Sequence, residues 1–300
     1  MNKGIKGWSG ALSLALAVGG CGGGTTTNTN ADMAVKAEIK LPPLTVETMP
    51  MVNAAADEAC VTTPMVPPAR TMPTVVNGSI EDFQDNNKVK GAIVKIYFTT
   101  DQALHDMPVA MSAATDDMGK FTLTIPPGPA RIIRSNAGGL AISAGNMVKT
   151  IPTFEFNVIA EDTKPTAVKE STKEAIPGLV GITQMDGLGV LAGGVRDCQN
   201  RETQGANVHV TVEGHPEYSD DGLIFYFLNV QGAGNVPVRS QKYTSVNGAF
   251  AALNVTPGVA TVTDKGVLMA GGMAQTLSTY KVPVIADSVT IIELSTGILQ

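Results

Sequence analysis

The chain is 300 residues long with 43% hydrophobic, 5% aromatic and 16% charged residues, an apolar content too high for a disordered protein. A formal charge of −6, from 21 basic and 27 acidic side chains, argues against nucleic acid as a partner, which needs clustered Lys and Arg to replace counterions. The length suggests about two domains, and 32 glycines with 18 prolines point to short strands joined by many turns.

Residues 1–20 read as a signal peptide. Lys3 and Lys6 form a positive n-region, and the apolar core Ala11–Val18 is too short for a bilayer, which takes roughly 20 apolar residues. The ending Val18-Gly19-Gly20-Cys21 resembles a bacterial lipobox. That resemblance implies diacylation of the Cys21 thiol, palmitate among the chains, cleavage before it and acylation of the new amine. Two or more chains give the stable anchoring that one would not. A plain signal peptide whose cysteine happens to follow the cut is the alternative. Gly22 is not the retention-type Asp, which favours the outer membrane. Without Lys3, Lys6 and Trp8 the mature chain carries about −8 and no tryptophan, and no other stretch approaches 18 apolar residues.

Residues 21–72 read as a flexible tether. Gly22–Asn30 is low-complexity and polar, and Pro42-Pro43, Pro50, Pro64, Pro67-Pro68 and Pro73 forbid long helices and central strands. A helical turn is expected around Asn53–Ala59. A first β-sandwich is expected over 73–160 and a second over 176–296. The charged segment 161–175, EDTKPTAVKESTKEA, shows no apolar period and reads as the linker between them.

The two sandwich segments repeat one another. Gly78–Asp82 answers Gly193–Asp197, Val89–Val94 answers Thr203–Val208, Thr115–Phe121 answers Thr244–Phe250, and Ile125–Gly128 answers Val255–Gly258. Four anchors in one order indicate an internal duplication with an insertion in the second repeat. Val208, Val210 and Val212 alternate with polar residues, as do Phe121, Leu123 and Ile125, the period of half-buried strands. Gly119 and Gly248 stand where a tight turn wants positive φ. Phe250 and Ala252 share a parity that Leu253 and Val255 do not, so a bulge is expected between them. The fold class read from this pattern is all-β, two tandem antiparallel β-sandwiches.

Both segments resemble the carboxypeptidase regulatory-like domain, a transthyretin-like sandwich whose pattern runs G-x-V-x-D, P-V-x-G-A-x-V, T-D-x-x-G-x-F and V-P-P-G. The first repeat matches at Gly78, Asp82, Val89, Gly91, Ala92, Val94, Thr115, Asp116, Gly119, Phe121 and Pro126-Pro127-Gly128. The second matches at Gly193, Val195, Asp197, Gly205, Ala206, Val208, Thr244, Gly248, Phe250 and Pro257-Gly258, and departs at Ser245 and Thr256. Both lack the proline before the Val-x-Gly-Ala step. The resemblance implies a structural or docking module and supplies no activity.

Chemistry is sparse. His105, His209 and His215 form no H-E-x-x-H arrangement, and neither G-x-S-x-G nor a phosphate-cradling loop occurs. Asp116-Asp117 and Asp220-Asp221, with Asp101 and Asp106, admit a weak calcium loop, but turn-forming Asp is the commoner use, and no metal or cofactor is assigned. Once Cys21 is acylated, Cys60 and Cys198 remain in an oxidising compartment, so a disulfide between them is expected, with two free thiols the alternative. The insertion, roughly 214–245, holds Tyr218, Phe225, Tyr226, Phe227 and Tyr243, so Tyr218 and Tyr226 are candidate partner contacts if both are exposed. The expected function is that of a non-enzymatic, lipid-anchored envelope protein. Its partners are the membrane and an envelope protein or glycan. A glycan- or peptide-binding module and an unrecognised hydrolase are the rivals.

Overall fold

The computed structural model describes residues 52, 59–61, 71–83, 85–97, 107–127, 140–143, 145, 147, 150–152, 165–216, 218–220, 222–230 and 234–297. Among them the fold is all-β with one α-helix. The first repeat holds β1 (Thr74–Ser79), β2 (Glu81–Asp82), β3 (Ile93–Ile96), β4 (Ala110–Met111), β5 (Lys120–Ile125), β6 (Leu140–Ser143), β7 (Thr150–Pro152) and β8 (Thr166–Ala167). Helix α1 (Glu170–Leu179) follows. The second repeat holds β9 (Gly189–Arg196), β10 (Asn207–Val212), β11 (Ile224–Val230), β12 (Gly234–Val238), β13 (Ala249–Val255), β14 (Gly258–Gly266), β15 (Gln275–Val284) and β16 (Val289–Ser295).

The alternating residues do what their period predicts. Phe121, Leu123 and Ile125 face inward with Val76, Ile80, Val94 and Ile96 to make the first core. Val208, Val210 and Val212 meet Leu191, Phe250, Ile292 and Leu294 across the second, between sheet β10-β14-β15 and the opposing β13, β9 and β16. The expected bulge lies between Ala252 and Val255. Asn254 takes positive φ there, and its side chain binds Met185 N–H at 2.8 Å and Thr183 C=O at 3.0 Å. That extra residue lets Ala252 and Val255 both face the core while Leu253 faces the other way.

Matched residues of the two segments make matching hydrogen bonds. Ile80 N–H donates to Gly119 C=O at 2.9 Å, and Val195 N–H to Gly248 C=O at 2.9 Å. Gly119 (φ +67°) and Gly248 (φ +61°) are each the residue a Cβ would drive to 2.6 Å from that same Ile80 or Val195 carbonyl oxygen. The Thr115 hydroxyl accepts from Ala92 N–H at 2.9 Å and donates to Val89 C=O at 2.6 Å. The Thr244 hydroxyl accepts from Ala206 N–H at 2.9 Å and donates to Thr203 C=O at 2.7 Å. The motif threonine is therefore a buried clamp between two loops, which explains a polar residue at a core position.

Three features go beyond the sequence reading. The ends of each repeat pair in parallel, β2 with β8 and β9 with β16, inside an otherwise mostly antiparallel architecture. β16 also pairs in parallel with β7, so both repeats contribute to one nine-stranded sheet, ordered β12-β11-β13-β9-β16-β7-β6-β3-β4. The third is a correction: the segment read as a charged linker is structured from Pro165 onward, with β8 and then α1. Glu170 sits in the first turn of α1, where the helix dipole favours an acid, and Pro177-Gly178 bring it to an end. Its Ile176, together with Val168 and Val180, packs with Phe225, Phe227 and Leu253 on the outer face of the second repeat. A period over so short a stretch is hard to see when its apolar half lies past residue 175.

Candidate functional site

The described residues gather their chemistry at a clasp. Cys60 rides on a single 3₁₀ turn, Ala59–Val61, and is bonded to Cys198 with 5.7 Å between Cα atoms. Cys198 starts the turn after β9, which Asp197 builds by accepting the N–H groups of Gln199 at 2.9 Å and Arg201 at 2.8 Å, with Asn200 at φ +63°. Gly297 has no Cβ because Cys60 C=O occupies that space, 2.6 Å away. Eight residues before Cys60, Val52 donates its N–H to Val267 C=O at 2.9 Å and buries its side chain in the second core, in space a Cβ on Gly266 would fill. The tether reading for 21–72 is therefore corrected at these points: Val52 and Ala59–Val61 are docked on the second repeat. The helical turn expected around Asn53–Ala59 appears at Ala59–Val61, while 53–58 lie outside the described residues. Cys21 and its lipobox also lie outside them.

Beside the clasp, Arg196 is 6% exposed and pairs with Glu202 at 2.7 Å and Glu293 at 2.7 Å. Burial alone would lower its pKa, and the two carboxylates outweigh that and raise it. The first repeat carries the same cross-loop pair with its signs exchanged, Glu81 against Lys88. Its buried Asp82 and the neighbouring Asp85 are joined by Lys169, at 3.4 and 2.7 Å. The hydrogen bond to Asp85 raises the lysine's pKa; at Asp85 burial pushes upward, and the Lys169 hydrogen bond and charge together with the Asn87 hydrogen bonds outweigh it and lower that pKa.

Tyr218 and Tyr226 do not form an exposed pair, which corrects their reading as a partner contact. Tyr226 is 2% exposed in the second core, and Tyr218 is half-buried against it with its hydroxyl below the surface. Phe225 and Phe227 face the opposite way, under α1, with ring centroids 5.6 Å apart. The tyrosine has another use. Its hydroxyl accepts Val208 N–H at 2.9 Å, and Asp220 Oδ2 accepts Val210 N–H at 2.9 Å. These side chains plug the edge of β10, where the first repeat uses the Ser112 hydroxyl on Val94 N–H at 3.0 Å and the short strand β4. An aromatic cluster signals burial as readily as contact, and sequence could not separate the two.

His209 is exposed, with Nδ1 3.5 Å from the Asp220 oxygen that already holds the strand edge, beyond ordinary hydrogen-bond reach. Asp116 accepts the N–H groups of Met118 at 2.9 Å and Lys120 at 2.8 Å, the turn-forming use of Asp. Asp117 pairs with Lys90 at 2.6 Å. Among the described residues no three His, Cys, Asp or Glu gather as metal ligands, and no helix is long and apolar enough to cross a membrane. His105, Asp101, Asp106 and Asp221 lie outside those residues.

No family model matches the chain, and no curated protein sequence is similar to it. Among solved structures, a streptococcal ancillary pilin is 15% identical with a TM-score of 0.22, over 75% of this chain and 63% of its own length. The shaft pilin SpaA of Lactobacillus rhamnosus GG is 11% identical with a TM-score of 0.21, over 75% of this chain and 97% of its own. A minor pilin of Streptococcus agalactiae is 11% identical with a TM-score of 0.22, over 74% and 95%. The chain thus spans under two thirds of the ancillary pilin. Scores this low carry no argument about function.

Proposed function

We propose that this is a non-enzymatic protein of the cell envelope, held to a membrane by acyl chains on Cys21 and acting as a structural or interaction module. The Cys60–Cys198 disulfide carries the reading. Such a bond suits an exported chain, and its position converts the end of the Pro-rich tether into a fixed attachment on the second repeat. Gly22 in place of the retention-type Asp favours outer-membrane sorting. The motif residues support a scaffold: Gly119, Gly248, Thr115 and Thr244 all serve turns and loop clamps.

Mass spectrometry of the mature N-terminus tests the anchor, with an acylated Cys21 expected. Cys21→Ala should move the protein out of the detergent phase on partitioning. A Cys21→Ala form that stayed there at unchanged yield would overturn it.

A further inference from the structure

Among the described residues, one sheet edge carries a strand in the second repeat and none in the first. In the second repeat, β13 lies between β9 and β11, with Tyr226 opposite Phe250, Phe225 opposite Ala251 and Ile224 opposite Ala252. In the first, β5 pairs with β1 in the matching register, Phe121 opposite Gly78 as Phe250 is opposite Gly193. Among the described residues no strand lies on the other side of β5. Antiparallel pairing alternates inward and outward backbone groups. In the second repeat it is Leu253 whose N–H turns outward, to Leu223 C=O at 3.0 Å. The residues equivalent to Ala251 and Leu253 are Thr122 and Thr124, so their N–H and C=O groups line the edge that no described strand covers.

Apart from β1, whose far side also carries no described strand, the other edges of the described sheets are blunted in the ways that suppress strand addition. β12 carries Pro237, β15 carries Pro283, and β4 is two residues long. β10 is plugged by Tyr226 and Asp220. β5 has no proline and, among the described residues, no plug, and Val75 and Met118 beside it are each 55% exposed.

We propose that β5 is a self-association edge, pairing antiparallel with β5 of a second copy of this chain about a two-fold axis at Leu123. The strand's own sequence fits that occupant. With Leu123 opposite Leu123, Thr122 of each molecule faces Thr124 of the other on the outer side, a favourable cross-strand pair. Phe121 faces Ile125 on the core side. Lys120 falls opposite Pro126, so no like charges meet. The contact is isologous and closes at two molecules.

The test uses the full exported chain with Cys21→Ser, so that acylation contributes nothing to association. Sedimentation over a wide concentration range should show a reversible dimer, and hydrogen exchange should show the Thr122 and Thr124 amides slowing as it forms. A Thr122→Asp, Thr124→Asp variant sets acids against acids across the contact and should weaken dimerisation at least about tenfold. Mixing it with a Thr122→Lys, Thr124→Lys variant should restore a heterodimer. Both changes are at exposed positions, and if one variant fails to fold the other carries the same weakening test. A chain monomeric throughout overturns the proposal. So does a dimer that both double variants leave unchanged, which must form elsewhere. Amides protected in the monomer also overturn it, because another segment of the same chain then covers the edge.

Discussion

The outer faces of the two repeats carry opposite instructions on one backbone. In the first, Val75, Asn77, Lys120, Thr122 and Thr124 face solvent, and Thr122 bonds Asn77 at 2.7 Å. The equivalent residues in the second are Val190, Ala192, Ala249, Ala251 and Leu253, which lie under α1 with Phe225 and Phe227. A small cavity of about 40 Å³ remains between helix and sheet, lined by apolar groups such as Phe83, Ile176 and Val289. Its lining is almost wholly apolar, with Lys173 at its side. The turn after the first strand diverges in the same spirit. Phe83 takes the position of Cys198 and reaches the layer under α1, while Cys198 holds the incoming tether. The two repeats therefore share their turns and the core between sheets and differ in what their outer surfaces meet.

The largest expected effect comes from cutting the one covalent link that distinguishes the second repeat. The bond closes a loop with a sequence separation of 138 residues, enclosing all of β1–β9. The loop-entropy model gives roughly 5 kcal/mol for a loop of that size. Cys198→Ser, or reductant, should lower the denaturant midpoint accordingly and release Val52 and Ala59–Val61 to proteolysis. An unchanged midpoint would mean that the docked segment is held by Val52 and its neighbours alone.

Exchanging residues between the faces should cost unequally. Leu253 is 1% exposed, so Leu253→Thr buries a hydroxyl and leaves a void under α1, at about 2–4 kcal/mol. The reciprocal Thr124→Leu changes an exposed position and should stay within about 0.5 kcal/mol. Equal effects from thermal or denaturant melts would show that α1 does not cover the second face in solution.

What sequence made legible was the part both repeats share. Phe121/Phe250, Gly119/Gly248 and Thr115/Thr244 perform local tasks, and local tasks leave a period or a turn residue that can be read. The fate of the outer faces was not legible, because Ala249 and Ala251 look neutral until Ile176 and Phe225 are known to lie over them. The parallel closure by β16 joins residues 99 apart in β9, and its second partner β7 lies 139 residues away. The Cys60–Cys198 bond was the exception among distant contacts, since the sequence holds three cysteines and reading Cys21 as acylated left one way to pair the others. Tyr218 and Tyr226 show the reverse case, in which identical side chains in one insertion serve the core to different depths.

The smallest effect tests how each repeat closes its inner strand edge. Tyr226→Phe keeps the ring and removes the acceptor of Val208 N–H and, at 3.3 Å, of the part-buried Asn207 amide; leaving the buried Val208 donor unpaired should cost about 1–3 kcal/mol at neutral pH. The first repeat's Ser112 does the same work from a different element, so the loss should be confined to the second. Burial raises the Tyr226 pKa well above 10.0, against a weaker opposing effect from the Val208 N–H, and Tyr218 is raised in the same sense by burial and Asp220. The neutral phenol is thus the folded form. Above pH 10 the unfolded tyrosine ionises and the folded one does not, so the stabilisation is complete below pH 10 and declines as pH rises beyond it. Tyr226→Phe should make that alkaline decline shallower, with Tyr218 supplying the remainder. Denaturant titrations at neutral and alkaline pH read both quantities, and a variant with no neutral cost and an unchanged alkaline slope would place the Tyr226 hydroxyl in water rather than on β10.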